Sequence, residues 1–350
     1  MKSLKDYSLN LEESAYHAYE AWSYSKIAKY AKDGFSAIAN MDKQTSPTPS
    51  MEFGSLFDAM ITRTMEVTNL YQIVDDDVPP SEKVVVEYLA NTNAASSLID
   101  IQDEQLQTAF DVCKYHTNWK FDTCKQKILN YDNYYQILKS GKKLISKEDW
   151  DDAYEMYHAF KSSPYLNDLF GRQSTDKVEY LYQTQYVTPY TLPSGRTVQV
   201  KIMPDLIKID HKAKTIQLVD LKTSSDPAWN FQDNFIKFAY YIQAKLYSDV
   251  IEIIKDRDAD LQEYYILPYL FTDISRSDKI PVTYTYDQNA ESQRNGFSFS
   301  KGDKVYSYKS WQILLDEILS YRESNAKVPA HIKLEEANNL LDILNLSTKQ

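Results

Sequence analysis

Apolar residues recur at helical spacing along the first third of the chain. Ser14 to Ala39 carries one such run, with Ser23 and Ser25 placed to cap an internal break before KIAKYAKD. Pro47 and Pro49 each disfavour helix at the preceding residue, so Lys43 to Ser50 is predicted to be a turn-rich connector. MEFGSLFDAMIT (51–62) is apolar on nearly every side and predicts a buried helix. From Val78 to Leu138 the pattern is of helices separated by polar loops, the first opening after Pro79-Pro80. Ser146-Lys147-Glu148-Asp149 resembles a capping box for a helix running to about Ser162, with Pro164 marking its end.

The period then changes. Glu179 to Tyr190 (EYLYQTQYVTPY) is rich in Tyr, Val and Thr and predicts a strand. Leu192-Pro193-Ser194-Gly195 turns the chain into a returning strand, Arg196 to Ile202, which makes a hairpin. Asp205 to Ile209 and Thr215 to Lys222 predict two more strands, joined by a turn at Asp210 to Lys214. Phe235 to Ile254 predicts a long amphipathic helix, and Tyr264 to Ile274 and Pro281 to Tyr286 further strands. Tyr308 to Ser324 reads as helix. A short amphipathic helix follows Leu334, and Leu340 to Leu344 is expected to pack on the chain's own core. The fold class is therefore α/β or α+β: a central mixed sheet flanked by helices, with a large helical elaboration on its N-terminal side.

Composition narrows the function classes. The chain has 350 residues, with 39 Lys+Arg against 50 Asp+Glu, a formal net charge of −11. That balance argues against coating nucleic acid or membrane through bulk charge, and leaves room for a local basic groove. Seven glycines and the lack of GxGxxG or GxxxxGK[ST] disfavour a phosphate-cradling loop. Cys113 and Cys124 are too few for a disulfide framework, an all-cysteine zinc site or a four-cysteine iron–sulfur cluster, and are expected to be reduced thiols. MKSLKDYSLN has no apolar targeting core and no stretch approaches the ~18 apolar residues of a membrane span, so no membrane association and a cytoplasmic location are expected. His17, His116, His158, His211 and His331 are scattered and read as surface or capping residues, and Asp75-Asp76-Asp77 as a solvated loop.

The informative stretch is MPDLIKIDHKAKTIQLVDLKT, Met203 to Thr223. Asp205 opens one strand; Asp220 and Lys222, two apart on the next, project to one face. A tight turn between the strands brings Asp205 beside Asp220. Two carboxylates so close repel one another, and a divalent cation is the natural compensation. A hard, oxygen-ligated site means Mg²⁺ or Mn²⁺. Lys222 beside that metal can orient a water or stabilise charge developing on a phosphoryl group. Taken alone, Asp-x-Lys on a strand is commonly a surface ion pair. Here it lies inside an apolar strand, with Val219 and Leu221 on the opposite face, and a Pro-Asp precedes it by fifteen positions.

With these residues the sequence resembles the PD-(D/E)xK nuclease superfamily, within it the exonuclease VIII/RecE-like and RecB-like branch of phage and bacterial recombination systems. Pro204-Asp205 followed by Asp220-Leu221-Lys222 is similar to the signature in its D-x-K form. Ser23 to Lys26 resembles the branch's S-x-S opening helix, and Phe53 to Asp58 its G-[ST]-x-x-H helix. Ile145 to Phe170 is similar to the helix before the first core strand, Glu179 to the acidic residue entering it, and Gln243 to Tyr247 to the Q-x-x-x-Y helix. The resemblance spans roughly residues 20–250, with Trp311 to Pro329 a looser match. The sequence departs from the branch at Asp58, which stands where the metal-ligating histidine is found.

The resemblance implies a restriction-endonuclease-like core at 171–330, a helical part at 1–170 contributing Asp58, and a helical tail at 331–350, together one continuous domain. It implies a Mg²⁺- or Mn²⁺-dependent deoxyribonuclease, most simply an exonuclease acting on linear duplex DNA in phage recombination or replication. Asp205, Asp220, the Leu221 carbonyl and Asp58 would hold metal. Glu179 would hold a second metal, a water or the lysine, and Lys222 would position the attacking water. Gln243 and Tyr247, at i and i+4, would contact phosphates or brace Lys222. Thr223 and Ser224 either donate to a phosphate or cap the following helix, and Tyr240 and Tyr241 are candidates to stack on bases. Expected partners are DNA, as duplex ends or a single strand, a single-strand annealing recombinase, and further copies of the chain. Two readings stay open beside it: a RecB-like repair or adaptation nuclease, and a catalytically inactive DNA- or protein-binding module retaining the fold.

Overall fold

The computed structural model of the chain describes residues 3–43, 47–63, 66–74, 78–171, 173–290, 296–301 and 303–323. It divides into two compact units, one comprising Met1–Pro47 with Phe160–Gln350 and the other Thr48–Ala159. The N-terminal helices thus belong with the sheet, whereas the sequence grouped them with the rest of the helical part.

The chain opens with a 3₁₀ turn, Leu4–Tyr7, capped by Ser3, whose hydroxyl accepts the Lys5 N–H. Two helices follow, Glu13–Ala18 (α1) and Tyr24–Asp33 (α2), separated by extended residues at the break the serines suggested. Ser23 is the N-cap of α2, but its hydroxyl pairs with Ser25 and not with the backbone.

The helical unit begins at Pro49–Thr62 (α3), two residues before the predicted start, because Pro49 occupies the first helical turn and Thr48 caps it. Val67–Leu70 (α4) leads into Tyr71–Val74 (β1). Next come Pro80–Thr92 (α5), Asp103–Val112 (α6), Phe121–Leu129 (α7) and Asp132–Lys139 (α8). Lys143–Ser146 (β2) pairs in parallel with β1. Neither four-residue strand was predicted; each sits at a helix end, too short to set a period of its own. Lys147–Lys161 (α9) starts where predicted, with Ser146 Oγ accepting the Asp149 N–H at 3.0 Å. Val85, Leu89, Leu106, Phe110, Ile128 and Tyr135 form this unit's core. Glu82 is fully buried there: burial alone would raise its carboxyl, but Lys127 at 2.6 Å and the Ser81 and Tyr115 hydroxyls hold it down at about 2.

Pro164 opens a new helix, Pro164–Leu169 (α10), as well as ending α9. The predicted strand over Glu179 to Tyr190 is two strands, Val178–Tyr182 (β3) and Tyr186–Thr191 (β4), broken where Gln183 takes a φ of 47°. Only β4 forms the hairpin with Thr197–Ile202 (β5). Leu206–Asp210 (β6) and Thr215–Ser224 (β7) follow as predicted. Phe231–Lys237 (α11) and Tyr240–Asp256 (α12) replace the single predicted helix, the break falling at Ala239, which has a φ of 54°. Tyr265–Ile266 (β8) and Tyr269–Ser275 (β9) are separated at Leu267-Pro268. Pro281–Tyr286 (β10) is as predicted. Gly296–Lys301 (β11) and Lys304–Lys309 (β12) form a hairpin that was not predicted, so the last described helix, Trp311–Glu323 (α13), starts later than expected. The helix expected after Leu334, and Asp75 to Asp77, lie outside the described residues.

The architecture is α+β with a mixed sheet. Its main sheet runs β10-β9-β7-β6-β3, with β8 alongside β7; β7 is parallel to β8 and β9, and the other neighbours are antiparallel. Ile207, Ile209, Ile216 and Leu218 are fully buried on one face of the central hairpin, in a core shared with α12. Each contributes about 1.5–3 kcal/mol by leaving water. No helix among the described residues is long and apolar enough to cross a membrane.

Candidate active site

The β6–β7 hairpin positions the acidic pair by register. Leu206 pairs with Val219. The ladder ends at that pair, and Asp205 and Asp220 are the next residues on the two chains. Alternation places both on the face that carries Ile207, Ile209, Ile216 and Leu218. Strand β6 stops here because Pro204 has no N–H to give the ladder. The Asp205 side chain takes over: its Oδ2 accepts the Leu221 N–H at 2.7 Å. An apolar face thus ends in two carboxylates, against the trend that charges avoid such positions.

Lys222 follows on the same face of β7, and its ammonium pairs with Asp220 Oδ2. Helix α12 lies over this face and contributes Gln243, whose Nε2 donates to Asp220 Oδ1 at 2.5 Å while its Oε1 accepts from Lys222 Nζ at 3.1 Å. One amide therefore fixes both members of the ion pair. Asp220 and Gln243 are buried, at 2% and 4% exposure, and the Lys222 side chain is 19% exposed. Lys222 Nζ also lies 4.5 Å from the centre of the Tyr240 ring. Burial by itself would pull Lys222 down. The Asp220 carboxylate, with Tyr240, Tyr24 and Asp205 behind it, instead holds it well above the ordinary lysine range. Tyr247 and Tyr269 are buried around the cluster, and desolvation pushes both phenols up, so they are neutral.

The structure does not gather every predicted residue. Glu179 pairs with Ile209 on β3, four residue levels from Asp205 and so about 13 Å away along the strands. Its carboxylate accepts the Ser3 hydroxyl at 2.6 Å and faces His211 at 3.7 Å. It ties the N-terminal turn to the sheet and takes no part in the Asp205–Asp220 cluster. Thr223 projects from the opposite face of β7. Ser224 donates to the Asp226 carbonyl at 2.8 Å and to Asp273 Oδ2 at 3.3 Å, and the next helical turn is capped by Pro227, so neither residue caps a helix. Asp58 belongs to the Thr48–Ala159 unit, half-buried on α3, where its carbonyl accepts from Thr62 Oγ1 at 2.9 Å.

One charged neighbour escaped the sequence reading. Asp273 on β9 pairs in parallel register with Lys222, and aligned residues share a face. It is 1% exposed, and its Oδ1 is buried without a hydrogen-bond partner among the described residues. Desolvation, reinforced by Asp278 and Asp226, raises its carboxyl to about 7 against the lowering effects of Ser224 and Lys222. The available signal was an acid inside the apolar run YLFTDIS.

Among the described residues no group of three or more His, Cys, Asp or Glu side chains is disposed to hold a metal ion. Mg²⁺ is commonly held by only one or two carboxylates, with waters and substrate phosphates completing the shell. Asp205 and Asp220, with the Leu221 carbonyl, supply hard oxygen donors of that kind, and Asp220 Oδ2 is buried with the Lys222 ammonium against it. The donor set fits such an ion.

Compared with known proteins, the chain matches no family model and no curated protein.

Proposed function

We propose that the chain is a metal-dependent deoxyribonuclease of the PD-(D/E)xK type, hydrolysing phosphodiester bonds of linear DNA. The observation that carries the reading is the placement of Asp205, Asp220 and Lys222 on one face of a buried hairpin, locked by Gln243. The order hairpin, catalytic strand, following helix α12 and parallel strand β9 supports the core that the resemblance implies. Exonuclease action on duplex ends, a role in phage recombination or replication, and a single-strand annealing recombinase as partner rest on the resemblance.

In this reading Asp205, Asp220 and the Leu221 carbonyl would hold Mg²⁺ or Mn²⁺, which when bound would supply a water of lowered pKa and offset phosphate charge. Lys222 stays protonated, bound to Asp220 and Gln243, and offers its third N–H to the attacking water or to a phosphate oxygen where negative charge develops. Gln243 holds both side chains so that neither reorganises during reaction. The N–H donated by Leu221 fixes one oxygen of Asp205.

A second reading draws on the same ion pair: Asp220 and Lys222 neutralise each other and are satisfied by Gln243, which also suits a silent nucleic-acid- or protein-binding module. Linear DNA incubated with Mg²⁺ or Mn²⁺ separates the two. Digestion by the wild type that disappears in Lys222→Ala supports the nuclease; no digestion by well-folded wild type supports the module. Circular against linear substrate then tells endonuclease from exonuclease.

A further inference from the structure

Asp273 is a buried acid beside Lys222 to which the nuclease reading gives no task. The two residues are aligned in the parallel β7–β9 ladder, on strands about 4.8 Å apart, whereas Asp220 lies two positions along β7, about 7 Å from Lys222. The flexible four-carbon stem of a lysine reaches in either direction. Ser224 Oγ donates to Asp273 Oδ2 at 3.3 Å, and Asp273 Oδ1 has no hydrogen-bond partner among the described residues. Besides Ser224, the groups that act on this carboxyl are Asp278, Lys222 and Asp226, and it acts in turn on the Tyr240 and Tyr284 phenols. Of these, Lys222 alone carries positive charge.

Both oxygens of Asp220 already have partners: the Gln243 amide at Oδ1 and the Lys222 ammonium at Oδ2. A divalent ion that takes Asp220 meets the ammonium at a buried oxygen, where two positive charges repel strongly. The ammonium is then the group that moves. Its side chain is mostly buried, so it needs another anion within reach. Asp205 is committed to the same ion. The Tyr24 and Tyr240 phenols are pushed up by burial and are neutral. Asp273 remains, on the same face, with an oxygen to offer.

We propose that Asp273 is a positioning residue of this site: it receives the Lys222 ammonium when a divalent ion occupies Asp220. The exchange rests on the nuclease reading for the ion and refines it at one point. Lys222 keeps its proton and its bond to Gln243 Oε1, gives up Asp220 Oδ2 and takes Asp273 Oδ1. It thereby stays beside the ion, with its third N–H still directed to water or phosphate.

The test is Mn²⁺ binding by the full chain, read from the electron paramagnetic resonance signal of the free ion. It is run at pH 8, above the value of about 7 to which the Asp273 carboxyl is raised. Four proteins close a cycle: wild type, Asp273→Asn, Lys222→Met and the double variant, each checked for folding by its melting transition. Methionine keeps an unbranched stem and removes the charge, so that variant has nothing to exchange. Asp273→Asn should weaken Mn²⁺ roughly 2- to 150-fold when Lys222 is present, as coupled neighbours do, and by a clearly smaller factor in the Lys222→Met background. A purely structural Asp273 would move the melting transition without this coupling. Equal factors in the two backgrounds, or no loss in either, overturn the exchange and leave the ion site standing. Coupling in a chain that digests no linear DNA removes the nuclease reading and keeps the exchange. No Mn²⁺ binding by folded wild type removes both.

Discussion

The Asp205 carboxylate accepts the backbone N–H of Leu221 at 2.7 Å, so a side chain continues the ladder where strand β6 has run out of backbone. This bond separates the structural work of Asp205 from the chemical work proposed for it. Asp205→Asn keeps a carbonyl oxygen for the Leu221 N–H and should stay within about 1 kcal/mol of wild-type stability, while losing DNA hydrolysis. Asp205→Ala strands a buried N–H and should lose hydrolysis and roughly 1–3 kcal/mol together. Denaturant titration and linear-DNA digestion on the two variants check it; equal destabilisation of both would sink the argument.

Gln243 holds Asp220 and Lys222 with one amide. Gln243→Leu keeps the volume and removes two hydrogen bonds to charged groups, each worth about 1.5–3 kcal/mol. We expect a drop in melting temperature and a fall in kcat with KM little changed, because the pair loses its fixed geometry while the surface proposed to bind DNA is untouched. A variant as active and as stable as wild type would mean that the helix merely rests on the hairpin.

Much of this arrangement was legible in the sequence, for a physical reason. Strand alternation fixes which side chains share a face, and a short turn fixes which strand lies opposite, so Asp205, Asp220 and Lys222 follow from local spacing. Gln243 was legible only through the resemblance, since the helix register against the sheet depends on packing. Asp273 comes from a strand in parallel register after a long crossover, and sequence spacing says nothing about such alignment. The breaks at Gln183 and Ala239 were illegible because both are non-glycine residues in left-handed geometry, which tertiary context imposes against local preference.

Glu179 illustrates the opposite case: the resemblance put it in the catalytic cluster, and the ladder puts it about 13 Å away, holding Ser3. Glu179→Ala should therefore leave DNA hydrolysis at the wild-type rate and lower stability by about 1 kcal/mol through the lost tether. Rate and melting measurements on the same preparation decide it. A hundredfold loss of rate at unchanged stability would return Glu179 to the reaction.

Asp273 gives the pH dependence. Its carboxyl is raised to about 7 in the folded chain, whereas an unfolded aspartate titrates near 3.8. Between these values the folded state binds the extra proton, so the stability contributed by this group is complete below about pH 3.8 and is lost as pH rises through about 7. Asp273→Asn removes the titration. The variant should gain on wild type steadily from pH 4 to pH 7, by on the order of 4 kcal/mol, and hold that margin above it. Parallel melting curves across this range check the prediction, and a pH-independent difference between the two proteins would contradict it.

The ion pair between Lys222 and Asp220 has a consequence for metal binding that needs no enzymatic assay. In the metal-free chain the ammonium is the charge that compensates Asp220, and removing one partner of a buried pair commonly costs about 3–5 kcal/mol. Lys222→Ala should therefore melt well below wild type in EDTA. Mg²⁺ or Mn²⁺ replaces the missing positive charge, and a ligand bound only by the folded state stabilises by about 2.7 kcal/mol at one hundred times its Kd. The metal-induced rise in melting temperature should accordingly be larger in Lys222→Ala than in wild type, and absent in Asp220→Asn, which lacks the charge to be compensated. Calorimetry of the three proteins with and without metal measures this directly. If none of them responds to either ion, Asp205 and Asp220 are no metal site, and the acidic pair serves only to anchor Lys222 and Leu221 in the sheet.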